Sequence, residues 1–407
     1  MLSIISPFKC SQTTRRYKMK TIDVFGLNEK KTIECFVRVL GNHRICDPMV
    51  SGNVPIIEYL SAVSPNGEWL ALDRVEKGSR KDLITITRVE EGAEEIVVPM
   101  DFDWENSRIR DISNDGTLLF QVELDRGFSN YGHSRRPLLF KYGDKKPLIL
   151  PPPYDKEDMS FFRSPSEGNC QTAHTPYCYT SEGKIFGWSR RRYDDRQYLN
   201  LNGTDYFVYE QKKPGVWVVE YLPDSLDGKW IWTAYHNTFV WADQRSKDNI
   251  IRFGLFDGKS CSNFDIAVYG YNPQVVEVAS NNTFICHYGV KGKRKYKNKE
   301  MHDYYALLAK PQDNALNLFK DGEENPWCEK LSPNGKYVIG SHTTVGWFIL
   351  KSESDGYSYR VLNTPGWRIE SLASVMDDGR IYAVATCVER KHGYFRLKLP
   401  VLLVPKW

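Results

Sequence analysis

One short phrase recurs along nearly the whole chain: an apolar run, a tight turn rich in Ser, Asn, Asp and Gly, and a second apolar run. It stands as LSAVSPNGEWLAL around Gly67, RDISNDGTLLFQV around Gly116 and CYTSEGKIFGW around Gly183. It returns as PDSLDGKWIW around Gly228, EVASNNTFICH around Asn282, EKLSPNGKYVIGS around Gly335 and ASVMDDGRIYAVA around Gly379. The copies follow one another at intervals of about fifty residues, and a strand-built repeat of that length is the signature of a β-propeller. The Asn-Gly and Asp-Gly dipeptides supply the positive φ that a tight hairpin requires.

Alignment on the turn resolves four strands in each copy. The first strand is the apolar run before the turn, as in Ile57 to Val63 or Val275 to Ala279, and the second follows it, as in Trp69 to Leu72. The third strand covers 82–89, 137–142, 206–211, 250–256, 303–310, 346–351 and 393–398. EEIVVPM, KPLIL, VWVVEYL, NFDIAVYG, LNLF, YRVL and VLLVP make the fourth. The expected fold is all-β: a seven-bladed β-propeller of four-stranded antiparallel blades over 55–407, with a short N-terminal β-hairpin extension. Apolar residues at 41% and aromatics at 13% suit sheets stacked face to face. Residues 21–54 read as that hairpin, closing the ring as an outer strand or capping it, with an eighth, degenerate blade as the alternative. Residues 1–20 carry Lys and Arg but no Asp or Glu, and read as a basic, disordered tail or else an organellar presequence.

The turn phrase resembles TolB-like propeller repeats, and the longer pattern, ending in a Gly/Arg-aromatic-Phe-Leu strand, resembles bacterial HAF-type repeats. Ile112 to Gly116 with Arg136 to Phe140 carries the likeness, as does Leu331 to Gly335 with Gly346-Trp347-Phe348. Asp378 to Ile381 with His392 to Leu397 fits best. The resemblance implies architecture and brings no catalytic residues with it. The fifth copy has Asn281-Asn282 where the others have Asp-Gly or Asn-Gly, so an irregular blade is expected there.

For function, the segments between second and third strands differ most between copies. They contain Arg135 and Arg136; Arg190, Arg191, Arg192 and Tyr193; Trp241; and Lys293, Arg294, Lys295 and Tyr296. Cations interleaved with aromatics form surfaces that hold anions. These residues point to a non-enzymatic, monomeric propeller binding a macromolecular partner, an acidic or phosphorylated protein first, with an anionic ligand or nucleic acid as other occupants. The alternative is a glycan-binding or glycan-cleaving propeller using acidic residues of the first strands: Glu58, Asp111, Glu220, Glu277, Glu329 and Glu370.

Catalytic signatures are missing from the sequence. It has no G-x-S-x-G, which excludes a hydrolase of the oligopeptidase type, whose propeller carries a separate catalytic domain, and no P-loop, G-x-G-x-x-G or H-x-x-x-H. His236, His287 and His342 read as ordinary strand-end histidines, and no catalytic residue, metal or cofactor is expected. The nine scattered cysteines contain no C-x-x-C pair, which favours reduced thiols and a cytoplasmic site over a secreted or organellar one. No apolar run is long enough to span a membrane.

Overall fold

The structure is a computed structural model. It describes residues 15–17, 20–21, 31–40, 56–75, 82–90, 92–100, 105–124, 134–151, 171–180, 182–192, 204–222, 230–235, 238–243, 250–256, 261–269, 271–296, 299–310, 316–317, 327–342, 345–354, 356–388 and 398–407. Every element among them is a strand. The strands follow one another as antiparallel meanders, and each meander is named below by its turn residue.

The Gly67 unit is a four-stranded sheet: Ile56–Val63, Trp69–Val75, Asp82–Arg88 and Glu95–Val97. The Gly116 unit comprises Glu105–Ile112, Thr117–Leu124, Ser134–Lys141 and Leu148–Ile149. The Gly183 unit comprises Gln171–Tyr179, Ile185–Arg192, Thr204–Lys213 and Val216–Tyr221. A parallel contact of Arg135 with Ala173 fuses these two units into one eight-stranded sheet.

Next comes a unit of Trp230–Tyr235, Thr238–Asp243, Ile250–Phe256 and Cys261–Tyr269. The Asn282 unit follows with Tyr271–Val278, Phe284–Tyr296, Lys299–Ala309 and Leu316–Asn317. The Gly335 unit has Trp327–Leu331, Tyr337–His342, Gly346–Glu353 and Gly356–Asn363. The Gly379 unit has Trp367–Val375, Ile381–Cys387 and Lys398–Pro405. The first strand of each unit packs beside the first strand of the next, and that of the Gly379 unit packs beside that of the Gly67 unit. The arrangement is a propeller: sheets set radially about an axis lined by their first strands.

Apolar contacts between neighbouring units form the core. Ala62, Trp69, Ile84 and Ile86 meet Ile112, Leu118, Phe120 and Phe140 across the first pair of units. Leu70 and Leu72 meet Met376, Tyr382, Val384 and Leu402 where the last unit returns to the first. Alternating strands bury one set of side chains against each neighbouring sheet, so nearly every residue of a second strand such as Ile381 to Ala385 is buried.

Two sequence expectations are corrected. VLLVP lies in Lys398–Pro405, which is the third strand of its unit and pairs with Ile381–Cys387. The fourth comes from the other end of the chain: Thr32–Val39 runs antiparallel beside it, from Cys35 opposite Pro405 to Val39 opposite Val401. Ile33 and Cys35 are buried there, and the Lys406 N–H donates to the Glu34 carbonyl at 2.9 Å. The second correction concerns Gly228. Gly228 lies outside the described residues and precedes Trp230–Tyr235, which pairs with Thr238–Asp243, Tyr235 opposite Thr238, so Asp227-Gly228 does not stand between those two strands.

The N-terminal region also pairs with outer edges elsewhere. Arg15–Tyr17, within the stretch read as a tail, lies parallel to Cys261–Tyr269, and Lys20–Thr21 lies parallel to Leu316–Asn317. Thr32 to Glu34 lie parallel to Val361–Asn363. The segment thus touches three successive outer strands before entering the last sheet.

The repeated turns share one geometry. Gly67, Gly116, Gly183, Gly335 and Gly379 all have φ between 73° and 86°, and Asn282 takes 64° in the fifth copy. Asn tolerates this left-handed region better than other non-glycine residues, so the expected irregularity is absent from this turn. In each turn the N–H of that residue donates to the carbonyl three residues earlier, from 2.8 Å at Gly67 to 3.1 Å at Gly116. Neighbouring turns also touch: the Asn66 N–H donates to Asn114 Oδ1 at 2.9 Å, and the Asn334 N–H to Asp377 Oδ1 at 2.8 Å. The Tyr382 hydroxyl donates to the Gly67 carbonyl at 2.8 Å, joining last unit to first.

Candidate functional site in the axial ring

Most first strands are interrupted at one place. Register shifts fall between Leu60 and Ala62, Ile109 and Asp111, Pro176 and Cys178, Val275 and Glu277, Cys328 and Lys330, and Leu372 and Ser374. Counted back from the turn residue, all six shifts coincide. A bulge twists its strand and re-aims the side chains beside it. Ala62, Asp111, Cys178, Glu277, Lys330 and Ser374 therefore occupy one level around the axis, and three of the six are acidic or basic side chains.

Lys330 Nζ lies 3.3 Å from Glu277 Oε2, linking the Gly335 and Asn282 units. Asp111 is held differently. Its Oδ2 accepts the Tyr179 N–H at 2.7 Å, and its Oδ1 accepts the Ile112 N–H at 2.8 Å. Burial nevertheless pushes its carboxyl up to about 6; the two N–H donors and the Lys330 charge pull it down, and Glu277 adds to the rise. The ammonium of Lys330 is held above its ordinary value, chiefly by Glu277, with smaller contributions from Asp111 and Glu329. Asp111 belongs to the Gly116 unit and Lys330 to the Gly335 unit, so the two interact across the axis and not along one sheet.

The remaining acidic candidates divide. Glu329, beside Lys330, is raised by burial and accepts from Ser341 Oγ at 3.5 Å. Glu370 accepts from Thr386 Oγ1 at 3.0 Å and lies 3.5 Å from Arg368 Nε. Glu220 is corrected: it sits on the outer strand Val216–Tyr221, exposed and 3.7 Å from Lys212, because the first strand of the next unit begins only at Trp230. The side chain of Glu58 lies outside the described residues.

The basic and aromatic residues expected on long loops fall largely on strands. Arg135 and Arg136 open Ser134–Lys141, and Arg190, Arg191 and Arg192 end Ile185–Arg192. Ala173 is flanked by Arg135 on one side and Arg190 on the other, so these two stretches share a rung. Lys293, Arg294, Lys295 and Tyr296 extend Phe284–Tyr296 into a long hairpin with Lys299–Ala309. Trp241 lies within Thr238–Asp243, paired with Ile231 and Gly254, and is no loop residue. Tyr193 is outside the described residues. At the backbone, Arg135 and Arg190 are brought together; the hairpin of Lys293 to Tyr296 belongs to a different sheet.

Of the three histidines, His236 is outside the described residues and His342 ends its strand opposite Gly346. His287 is buried, its Nε2 lies 2.9 Å from the Cys328 carbonyl, and its ring meets Trp327 at 3.9 Å between centroids. Burial lowers its pKa to about 4. Sequence reasoning missed Lys330 because only acidic residues of the first strands were collected. Its position relative to the turn, shared with Asp111 and Glu277, was the signal.

No family model matches the chain, and no curated protein matches it. Solved structures do. The β-propeller domain of the Trilobed protease from Pyrococcus furiosus matches with 9% identity and a TM-score of 0.50, over 86% of this chain and 94% of that one. Pyrococcus horikoshii acylaminoacyl peptidase matches at 10% and 0.50, over 87% of this chain and 52% of the peptidase. Prolyl oligopeptidase B from Galerina marginata matches at 12% and 0.50, over 86% and 48%. The chain thus spans about half the length of the full peptidases it matches. At these identities the likeness establishes the propeller fold. The expectation of a non-enzymatic binding propeller is withdrawn, because the solved structures that match include a prolyl endopeptidase, an acylaminoacyl peptidase and a prolyl oligopeptidase.

Proposed function

We propose that the chain is a seven-bladed propeller, built of TolB-like or HAF-type repeats, that works as part of an enzyme and holds substrate at its axial ring. The closed succession of first strands, returning from the Gly379 unit to the Gly67 unit, supports the blade count. The reading of function rests on one observation: Asp111, with a carboxyl titrating near 6, faces Lys330 and Glu277 from the far side of the axis. A carboxyl near neutrality exchanges protons in either direction at physiological pH, as general acid–base work requires. Lys330, neutralised on one side by Glu277, keeps further N–H donors for a polar substrate group or a developing negative charge. Asp111 would exchange the proton and Lys330 would position and stabilise.

The test incubates the protein with a defined peptide mixture and, separately, an acidic oligosaccharide mixture, with products read by mass spectrometry between pH 5 and 8. New products are expected, formed at a rate governed by a group titrating near pH 6. They should be lost in Asp111→Asn and strongly reduced in Lys330→Met. Turnover unchanged in both variants would remove the axial ring from the mechanism.

A further inference from the structure

The second strand of the Asn282 unit outruns its neighbours. Phe284–Tyr296 has 13 residues, whereas the second strands of the other units have six to eight. The first strand of the unit follows it only as far as Gly289, opposite Tyr271, and the fourth strand pairs only at Leu307 and Leu308. Beyond Gly289 the hairpin pairs with itself alone among the described residues: Val290 with Asp303, Lys291 with His302, Lys295 with Glu300 and Tyr296 with Lys299. It is a two-stranded ribbon about 20 Å long. Second strands run away from the repeated turns, so the ribbon stands on the propeller face opposite those turns.

The ribbon strands carry Lys291, Lys293, Arg294, Lys295 and Lys299 against two carboxylates, Glu300 and Asp303. Glu300 is set opposite Lys295 and Asp303 opposite Val290, while Lys293 and Arg294 fall within the register shift between Lys291 and Lys295. A second cationic element ends on the same face. One rung of the fused sheet reads Glu123, Arg135, Ala173, Arg190, Thr204, so two arginines flank a small residue beside a single carboxylate. Arg191 and Arg192 continue the strand to its end, farthest from Gly183, and Arg136 stands opposite Val122. Like charges gathered this closely repel one another, and bound negative charge relieves that repulsion.

Ribbon and rung belong to units separated by the one that begins at Trp230. A small anion meets one or the other, whereas a chain charged at intervals lies across both. We propose that this face binds a linear acidic oligosaccharide, laid from the Arg135–Arg190 rung to the Lys291–Lys295 ribbon. The inference rests on the reading of the axial ring as the substrate-holding surface, and it names the substrate class. The Lys330 side chain is 44% exposed, so the axis is open to solvent at the ring and a slim sugar chain can reach it. A nucleic acid duplex is too broad to pass between the first strands. Single strands need stacking platforms, and the only Phe, Tyr or Trp of the ribbon is Tyr296.

The experiment uses the full chain and four probes: alginate oligosaccharides, dextran sulfate, neutral dextran and oligothymidylate. Calorimetry should show saturable binding of alginate, dextran sulfate or both, which separates carboxylate from sulfate recognition, and none of neutral dextran. Lys293→Gln, Arg294→Gln and Lys295→Gln together should weaken binding of the acidic sugar by about tenfold. Arg135→Gln with Arg190→Gln should weaken it by a similar factor, since one ligand spans both elements. Acidic sugars bound no better than neutral dextran by the wild type, or oligothymidylate bound more tightly than either, would overturn the proposal even where a variant fails to fold. Unchanged affinity in a folded variant of either set would do the same. Turnover lost in Asp111→Asn, with no acidic sugar bound by the wild type, would leave the enzymatic reading standing and sink this one alone. Acidic sugar held by ribbon and rung without any turnover would do the reverse.

Discussion

Replacing Gly67 by alanine should destabilise the protein far more than the same change at Gly183, although both glycines have φ near 75°. Each substitution places a Cβ in the left-handed region, which costs about 1 kcal/mol. At Gly183 that is the whole effect, because nothing lies within 4 Å of the new atom. At Gly67 the Cβ would stand 2.7 Å from Tyr382 Oη and 3.2 Å from Met376 Cε. Tyr382 is fully buried and cannot swing aside, so overpacking adds about 2 kcal/mol. Displacing its hydroxyl from the Gly67 carbonyl adds about 1 kcal/mol more. The expected losses are about 4 kcal/mol for Gly67→Ala and about 1 kcal/mol for Gly183→Ala. Urea unfolding at 25 °C, followed by tryptophan fluorescence, should show a midpoint shift several times larger for the first. Tyr382→Phe removes the obstructing oxygen, so in the Gly67→Ala background it should cost less than it does alone. Equal losses for the two alanines, or strict additivity of Gly67→Ala with Tyr382→Phe, would refute the claim that this turn is locked by the last unit.

Other expectations concern charge and closure. Asp111 has a folded-state pKa near 6 against about 3.9 unfolded, so the folded state holds the extra proton and stability falls as pH rises from about 4 to 6. Asp111→Asn leaves one of two backbone N–H groups without its acceptor and lowers stability outright. Its melting temperature relative to wild type should nonetheless improve steadily across that window, and a flat difference would show that Asp111 does not titrate there. His287, held near 4 against about 6.5 unfolded, works in the opposite sense, withdrawing stability as pH falls from about 6.5 to 4. Its ring should remain neutral at pH 5.5 by 15N chemical shift. Removing residues 1–40 strips the outer strand from the last sheet, uncovering Leu399, Val401 and Leu403. A large drop in melting temperature is expected, with partial recovery when a peptide spanning 31–40 is added in trans.

The turns were legible because φ is a local property: Gly67, Gly116, Gly183, Gly335 and Gly379 sit where the dipeptide chemistry puts them. The third strand Ile250–Phe256 coincides with its expected bounds for a similar reason, being a long β-branched and aromatic run with clear ends. The Gly228 error arose because an Asp-Gly pair signals a turn without saying which turn. VWVVEYL, apolar on either reading, served equally well as a fourth strand or as the first strand of the next unit. The origin of the last outer strand was not readable, since pairing between Cys35 and Pro405 is non-local. The axial ring was half visible: Asp111 and Glu277 stood in the collected set. The bulges that bring them level with Lys330 come from strand pairing, not composition.

The pairing of Thr32–Val39 with Lys398–Pro405 has a consequence for how the molecule is made. The Lys406–Glu34 contact joins residues 372 apart in sequence, so Thr32–Val39 is made long before the strand it pairs with. Until then its natural partner does not exist, and the edges of the sheets already formed remain open to other chains. Contacts of such separation slow folding, because the entropy of closing the loop is lost before any pairing compensates it. Ring closure is therefore a late event in the assembly of the propeller. A chain stalled before that step would be the species most exposed to aggregation and proteolysis.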